Sequence, residues 1–227
     1  MLTTVSTPES DSGDTRGRLL DAAEILFGER GSETVSLREI SRVAGARNVM
    51  AAQYWFADRG GLVQALLDRH DPEVEARRHA LLDAYEAGGH EEMHGLAGAL
   101  VRPLATKLDQ GAGGLGYLRT LAEQLTSPSP SLIPLHLERE GSSIRRWSEL
   151  VGPLLEDEAL RTHRRFLAVR FAVSELALRA RRSERRDDRL FVAHLVDVSA
   201  GLLLAPVSAE SRRLRAVLEV DRAAEAE

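Results

Sequence analysis

The chain has 227 residues, a net charge of −5, and 43% hydrophobic and 29% charged residues, which is ordinary for a globular protein. It contains no cysteine, which excludes disulfides and thiolate metal sites. No apolar run approaches the roughly 18 to 20 residues needed to span a bilayer, so no membrane partner is expected.

Met1 to Asp14 is rich in Ser, Thr and acid and has no Lys or Arg. It lacks the basic start and apolar middle of a signal peptide, so residues 1–14 are expected to form a disordered tail and the protein to be cytoplasmic. Overall acidity does not exclude nucleic acid, because phosphate contacts need a basic face rather than a basic chain. Residues 15 to 60 carry seven Arg against six acids.

Apolar residues recur at spacings of three and four along the whole chain, which predicts an all-helical fold. The first helix is expected from about Thr15 to Arg30, with Leu19, Ala22, Ala23, Leu26 and Phe27 on one stripe and Gly31 ending it. Ser36-Leu37-Arg38-Glu39 has the form of a capping box and opens a short second helix. Ala44-Gly45-Ala46 is a tight turn, and a third short helix is expected from about Asn48 to Trp55. Asp58 can cap a fourth, which carries Leu62, Val63, Leu66 and Leu67.

Asp71-Pro72 reads as a break. Longer helices are expected at about 73–86, 91–108, 115–126, 131–152, 158–182 and 188–205, with a last amphipathic piece near 209–220. Gly88-Gly89, Gly111 to Gly116, Ser127 to Pro130 and Arg181 to Arg189 would separate them.

Two short helices joined by a glycine-containing turn are the core of a helix-turn-helix. Gly45 allows a positive φ, and Ala44 and Ala46 allow close approach, so the second helix can stand out and enter a major groove.

Residues Thr15 to about Leu67 resemble the TetR-family DNA-binding domain. The resemblance rests on Asp21-Ala22-Ala23, Leu26-Phe27 and Gly31, then Ser36-Leu37-Arg38-Glu39-Ile40, Ala44-Gly45, Tyr54-Trp55-Phe56 and Leu62. The stretch from Gly45 to Tyr54 is one residue longer than in the commonest members. Trp55 stands where His is usual, and Arg59-Gly60 where Lys-Glu is usual.

The resemblance implies an all-α protein in three parts: the tail, a three-helix helix-turn-helix domain over 15–70, and an effector-binding and dimerisation bundle over 71–227. It implies a sequence-specific transcriptional repressor, released from a double-stranded DNA operator by a small-molecule effector, with no cofactor and no enzymatic activity. Tyr54 and Arg59 would contact phosphates, with Thr15, Arg16 and Ser36 as further phosphate candidates and Arg38 on the same surface. Arg47, Asn48, Met50 and Gln53 would lie on or beside the recognition helix. Arg favours guanine, Asn and Gln favour adenine, and Met50 can touch a thymine methyl.

The helices near 158–182 and 188–205 are apolar on more than one face. Leu160, Leu167, Phe171, Ser174 and Leu178 line one stripe, and Leu190, Phe191, Leu195, Val198, Leu202 and Leu203 lie on the next helix. The resemblance implies that these pair with their mates into a homodimer. Candidate pocket residues are Tyr117, Glu123, His136 and Trp147.

Three short motifs compete with this reading. His90-Glu91-Glu92-Met93-His94 matches H-E-x-x-H, and His90, Glu91 and His94 would serve a metal-dependent hydrolase built in a helical bundle. Ala97 and Leu100 stand where one metalloprotease class needs Gly and a third His. Glu91-x-x-His94 has no second Glu-x-x-His to complete a di-iron site. Gly111 to Gly116 matches G-x-G-x-x-G without an apolar strand before it and reads as a flexible loop. A DNA-binding protein without any effector is the other alternative.

Overall fold

Leu19, Leu20, Ala22, Ala23, Leu26 and Phe27 form the buried stripe of α1 (Glu9–Arg30). The computed structural model describes residues 9–88, 92–126, 140–155, 164–182 and 187–224, with side chains from residue 15 to residue 218. Helix α1 therefore starts six residues inside the expected tail. Gly31, at φ 88°, ends it as expected, and its amide bonds to the Phe27 carbonyl at 2.9 Å.

A 3₁₀ turn at Ser32–Thr34 leads to α2 (Leu37–Val43). Half of the capping box forms, because Ser36 Oγ accepts from the Glu39 amide at 3.2 Å. Glu39 does not reach back; its carboxylate pairs with Arg30 at 2.7 Å. Gly45 takes φ 64°, the left-handed turn that a Cβ disfavours, and the chain reverses into α3 (Ala51–Phe56). Buried Ser41 stitches the two helices together, its hydroxyl donating to the Leu37 carbonyl at 3.1 Å and accepting from the Ala52 amide at 3.0 Å.

Helix α3 starts three residues later than expected. Asn48 Oδ1 instead accepts from the Met50 amide at 2.9 Å, holding Arg47 to Met50 in a turn. Asp58 caps α4 by accepting from the Gly61 amide at 2.8 Å. A Cβ at position 61 would overlap the Phe56 carbonyl, so the glycine that weakens the helix start is required by close approach.

Helix α4 is one element, Arg59–Gly88, about 45 Å long. The expected break at Asp71-Pro72 is absent. Pro72 removes one intrahelical hydrogen bond, but Leu66, Leu67, Val74 and Leu82 are buried on both sides of it and hold the helix through. The boundary drawn at 70/71 thus falls inside a continuous helix.

Next come α5 (Met93–Ala105), a 3₁₀ turn at Thr106–Asp109, and α6 (Gly111–Thr126). The glycine segment is no flexible loop: it is the first turns of α6, packed against α1. A Cβ at Gly116 would overlap the Glu24 carbonyl, so glycine lets the two backbones touch. After α7 (Ser143–Val151) come α8 (Arg164–Ala180), α9 (Arg189–Leu204) and α10 (Ala209–Ala224).

No strand occurs among the described residues. Helix α5 is the central strut, buried on nearly every side, and α4, α7, α8 and α9 pack around it. One hydrophobic core runs without interruption from Leu19 to Leu203. Among the described residues no single helix is long and apolar enough to cross a membrane.

Candidate nucleic-acid interface and effector cavity

The outer surface of the helix-turn-helix carries most of the expected DNA residues. Arg47, Asn48, Met50, Gln53 and Tyr54 are all exposed, Tyr54 at 81%. A surface hollow of about 380 Å³ joins the Thr15–Arg18 turn of α1 to this surface through Thr15, Arg18, Arg47, Asn48 and Tyr54. Arg18 donates to Thr15 Oγ1 at 3.1 Å. Arg16 is exposed, with its guanidinium 5.4 Å from the centre of the Phe56 ring. Trp55 meets Tyr54 edge-on at 5.6 Å and helps to set its direction. Ser36 and Arg38 are exposed at the start of α2.

Arg59 is placed differently from the expectation. It is half-buried, and its guanidinium donates to the Ser32 carbonyl. That bond ties the start of α4 to the turn after α1.

A separate cavity of about 90 Å³ lies inside the helical body. Helix α4 presents Leu67, Asp71, Val74, Glu75 and Arg78 to it. These positions follow helical spacing on one face. Leu100, Leu104, Leu121, Leu125, Ile144, Val169 and Val173 make the aliphatic walls, and Gln124 adds an amide.

Tyr117 lines this cavity. Its hydroxyl donates to Asp71 Oδ1 at 3.0 Å, and burial, reinforced by the Asp71 charge, pushes its pKa well up, so it stays a neutral donor. Arg78 is 4% exposed. It donates to Ser143 Oγ at 2.8 Å and lies 3.4 Å from Glu75 Oε1, while Glu75 accepts from the Ser143 amide at 2.7 Å. Burial works against the Arg78 charge, and Glu75 supports it.

Glu123 and Trp147 do not join Tyr117 at the cavity. Trp147 is core: its Nε1 donates to the Leu96 carbonyl at 2.8 Å, closing α7 onto α5. Glu123 faces away from the cavity and accepts from the amide and hydroxyl of Ser32. His136 lies outside the described residues. So do His90 and Glu91, while His94 Nδ1 sits 3.4 Å from Asp197.

Asp71, Glu75, Arg78 and Gln124 were missed as site residues. The signal for Asp71, Glu75 and Arg78 was a polar series at i, i+4 and i+7 among Leu67 and Val74, which the expected break at Asp71-Pro72 concealed; Gln124, on α6, had no such signal.

Helix α6 touches both regions. Tyr117, Leu121, Gln124 and Leu125 meet the cavity. Arg119 donates to the Gly28 carbonyl and Glu123 holds Ser32, both at the end of α1. Burial, then the Arg181 charge, lowers the pKa of Arg119.

No family model matches the chain. No curated protein matches it. Among solved structures the chain is similar to one described as the crystal structure of a gamma-butyrolactone receptor (ArpA-like protein), at 20% identity over 95% of this chain and 98% of that chain, with a TM-score of 0.45.

Proposed function

We propose that the chain is a ligand-responsive DNA-binding regulator, acting as a repressor that an effector releases from its operator. The observation that carries this is the α2–turn–α3 unit, which bares Arg47, Asn48, Gln53 and Tyr54 together on one outward surface. Those side chains combine phosphate donors with groups that pair with base edges in the major groove. Thr15, Arg16, Ser36 and Arg38 flank them as phosphate contacts. Arg59 serves the reader from inside, by holding the turn after α1.

The release mechanism rests on α6. An effector entering the cavity displaces the helix that also grips Gly28 and Ser32, and so moves the reader relative to the body. DNA affinity then falls by the difference in effector binding between the two arrangements, about 1 to 3 kcal/mol for typical coupling.

A second copy of the chain completes the regulator. Leu167 and Leu178 on α8, and Leu190, Val198 and Leu204 on α9, are exposed apolar residues on neighbouring helices. Pairing these faces across a two-fold axis buries them and sets two recognition helices about one DNA turn or somewhat more apart.

The test is a mobility-shift titration against the DNA upstream of the gene, followed by selection from random sequence. A specific shift that weakens with salt and is lost in Tyr54→Ala supports the reading; removing one phosphate contact lowers the salt slope by about 0.9. If random-sequence selection yields no specific site, the regulator reading is wrong.

A further inference from the structure

The last three helices carry the body's uncovered apolar surface. Outside α1 to α3 and the turn between α2 and α3, every exposed large apolar side chain among the described residues lies on α8, α9 or α10. Leu167 and Leu178 on α8 lie about three turns apart, and Leu190 and Leu204 on α9 about four, so each pair shares a face. Helix α10 adds Leu214, Val217 and Leu218, each 58 to 60% exposed, at the i, i+3 and i+4 spacing of one helical stripe.

Helix α10 is aimed but not packed. The Arg164 guanidinium on α8 donates to the Leu203 carbonyl at 3.4 Å and to that of Ala205, which pins the end of α9. Val207 is buried, Ser208 Oγ accepts from the Ser211 amide at 3.1 Å, and α10 leaves α9 at a bend of 50°. Yet no element packs extensively on α10 among the described residues, and of its described side chains only Arg215 is not exposed. A helix of 16 residues without tertiary packing is marginal in water, so the stripe calls for a cover.

We infer that α10 is an arm that lays Leu214, Val217 and Leu218 on a second copy of this chain, extending the α8–α9 face into one interface. This rests on the reading of α8 and α9 as a dimerisation face.

Area and charge select a second copy. Together with Phe166, Leu167, Leu178, Leu190, Val198 and Leu204, the three α10 residues present roughly 850 Å² of surface, about a third of it on α10; each partner in a stable interface buries about 800 Å². A short peptide cannot cover a face of that size. Residues 209–224 carry four Arg against three acids, which gives an anionic lipid surface little to attract. The stripe also follows Leu204 directly beyond the pinned linker, so the partner that covers α9 is within reach of α10.

Sedimentation equilibrium of the full chain, without DNA, tests this. The parent is expected to be a dimer. Leu214→Glu and Leu218→Glu each place a charge in the stripe and should raise the dimer dissociation constant at least about tenfold, with circular dichroism still helical because both side chains are exposed in the single chain. Ala216→Glu adds the same charge on the opposite side of α10 and should leave the constant unchanged. A monomeric parent, leucine variants that dimerise like the parent, or an equal loss in Ala216→Glu overturns the inference. Leu178→Glu, on α8, separates the two readings: a dimer broken by Leu178→Glu but untouched by both α10 variants keeps the α8–α9 face and sinks the arm. Flotation with phosphatidylcholine–phosphatidylglycerol vesicles covers the lipid alternative, since parent binding that Leu218→Glu abolishes with the dimer intact also overturns the arm.

Discussion

Glu123 Oε2 accepts two hydrogen bonds from Ser32, from its amide at 2.8 Å and from its hydroxyl at 2.6 Å, across 91 positions of sequence. Ser32 is fully buried, and Arg59 takes its carbonyl from the other side. One residue of the turn after α1 is thus held by both the body and the start of α4.

Glu123→Ala should therefore do more than destabilise. Leaving the buried Ser32 amide without an acceptor costs about 1 to 3 kcal/mol, which chemical denaturation can measure. Because the helix-turn-helix then loses one of its ties to α6, whatever ligand weakens DNA binding in the parent should weaken it less in the variant. Unchanged ligand sensitivity in a folded Glu123→Ala would remove this clasp from the release mechanism.

Gly116→Ala reverses the usual rule for helices. Propensity alone favours alanine by up to about 1 kcal/mol. Here the new Cβ meets the Glu24 backbone, which cannot rotate away. A net loss of about 1 to 3 kcal/mol is expected from overpacking. A more stable variant in urea unfolding would contradict the backbone contact between α1 and α6.

Ala57 sits at φ 63° and ψ −58°, with the Asp58 amide bonded to the Phe56 carbonyl at 2.7 Å. That three-residue turn is strained for any residue with a Cβ. Ala57→Gly should raise stability by about 1 kcal/mol, the relief exceeding the extra freedom of the unfolded glycine. A thermal melt showing a loss instead would mean that the turn is not strained.

Glu73 binds the buried ammonium of Lys107 at 2.6 Å and accepts from Gln110. The Lys107 bond, then the Gln110 bond, lowers the Glu73 pKa from 4.5 to about 2. A lowered carboxylate pKa means stability present above about 4.5 and lost as pH falls towards 2. Glu73→Gln should cost about 2 kcal/mol at neutral pH, less than the roughly 3 to 5 kcal/mol of a fully buried pair, because Glu73 is partly exposed. The variant should also lose less stability than the parent on acidification through that window. Parallel acid-unfolding curves would rule the pair out as a source of acid sensitivity.

The helix-turn-helix was legible because its signals are local. Ser36 caps the helix that starts one residue later, Gly45 supplies a positive φ within its own turn, and the stripe from Leu19 to Phe27 repeats within one helix. Such features are decided by atoms a few residues apart, so the amino-acid sequence determined them by itself. The body was not legible in the same way. Pro72 and the glycines before Tyr117 carry the local marks of breaks, yet both lie inside helices. A lost hydrogen bond or a flexible residue costs a few kcal/mol at most, and burial against partners distant in sequence outweighs it. The same distant packing turned Glu123 towards Ser32, put Trp147 in the core, and lined Asp71, Glu75 and Arg78 along one cavity. Only the tertiary structure decided those placements, because each depends on which helix lies opposite.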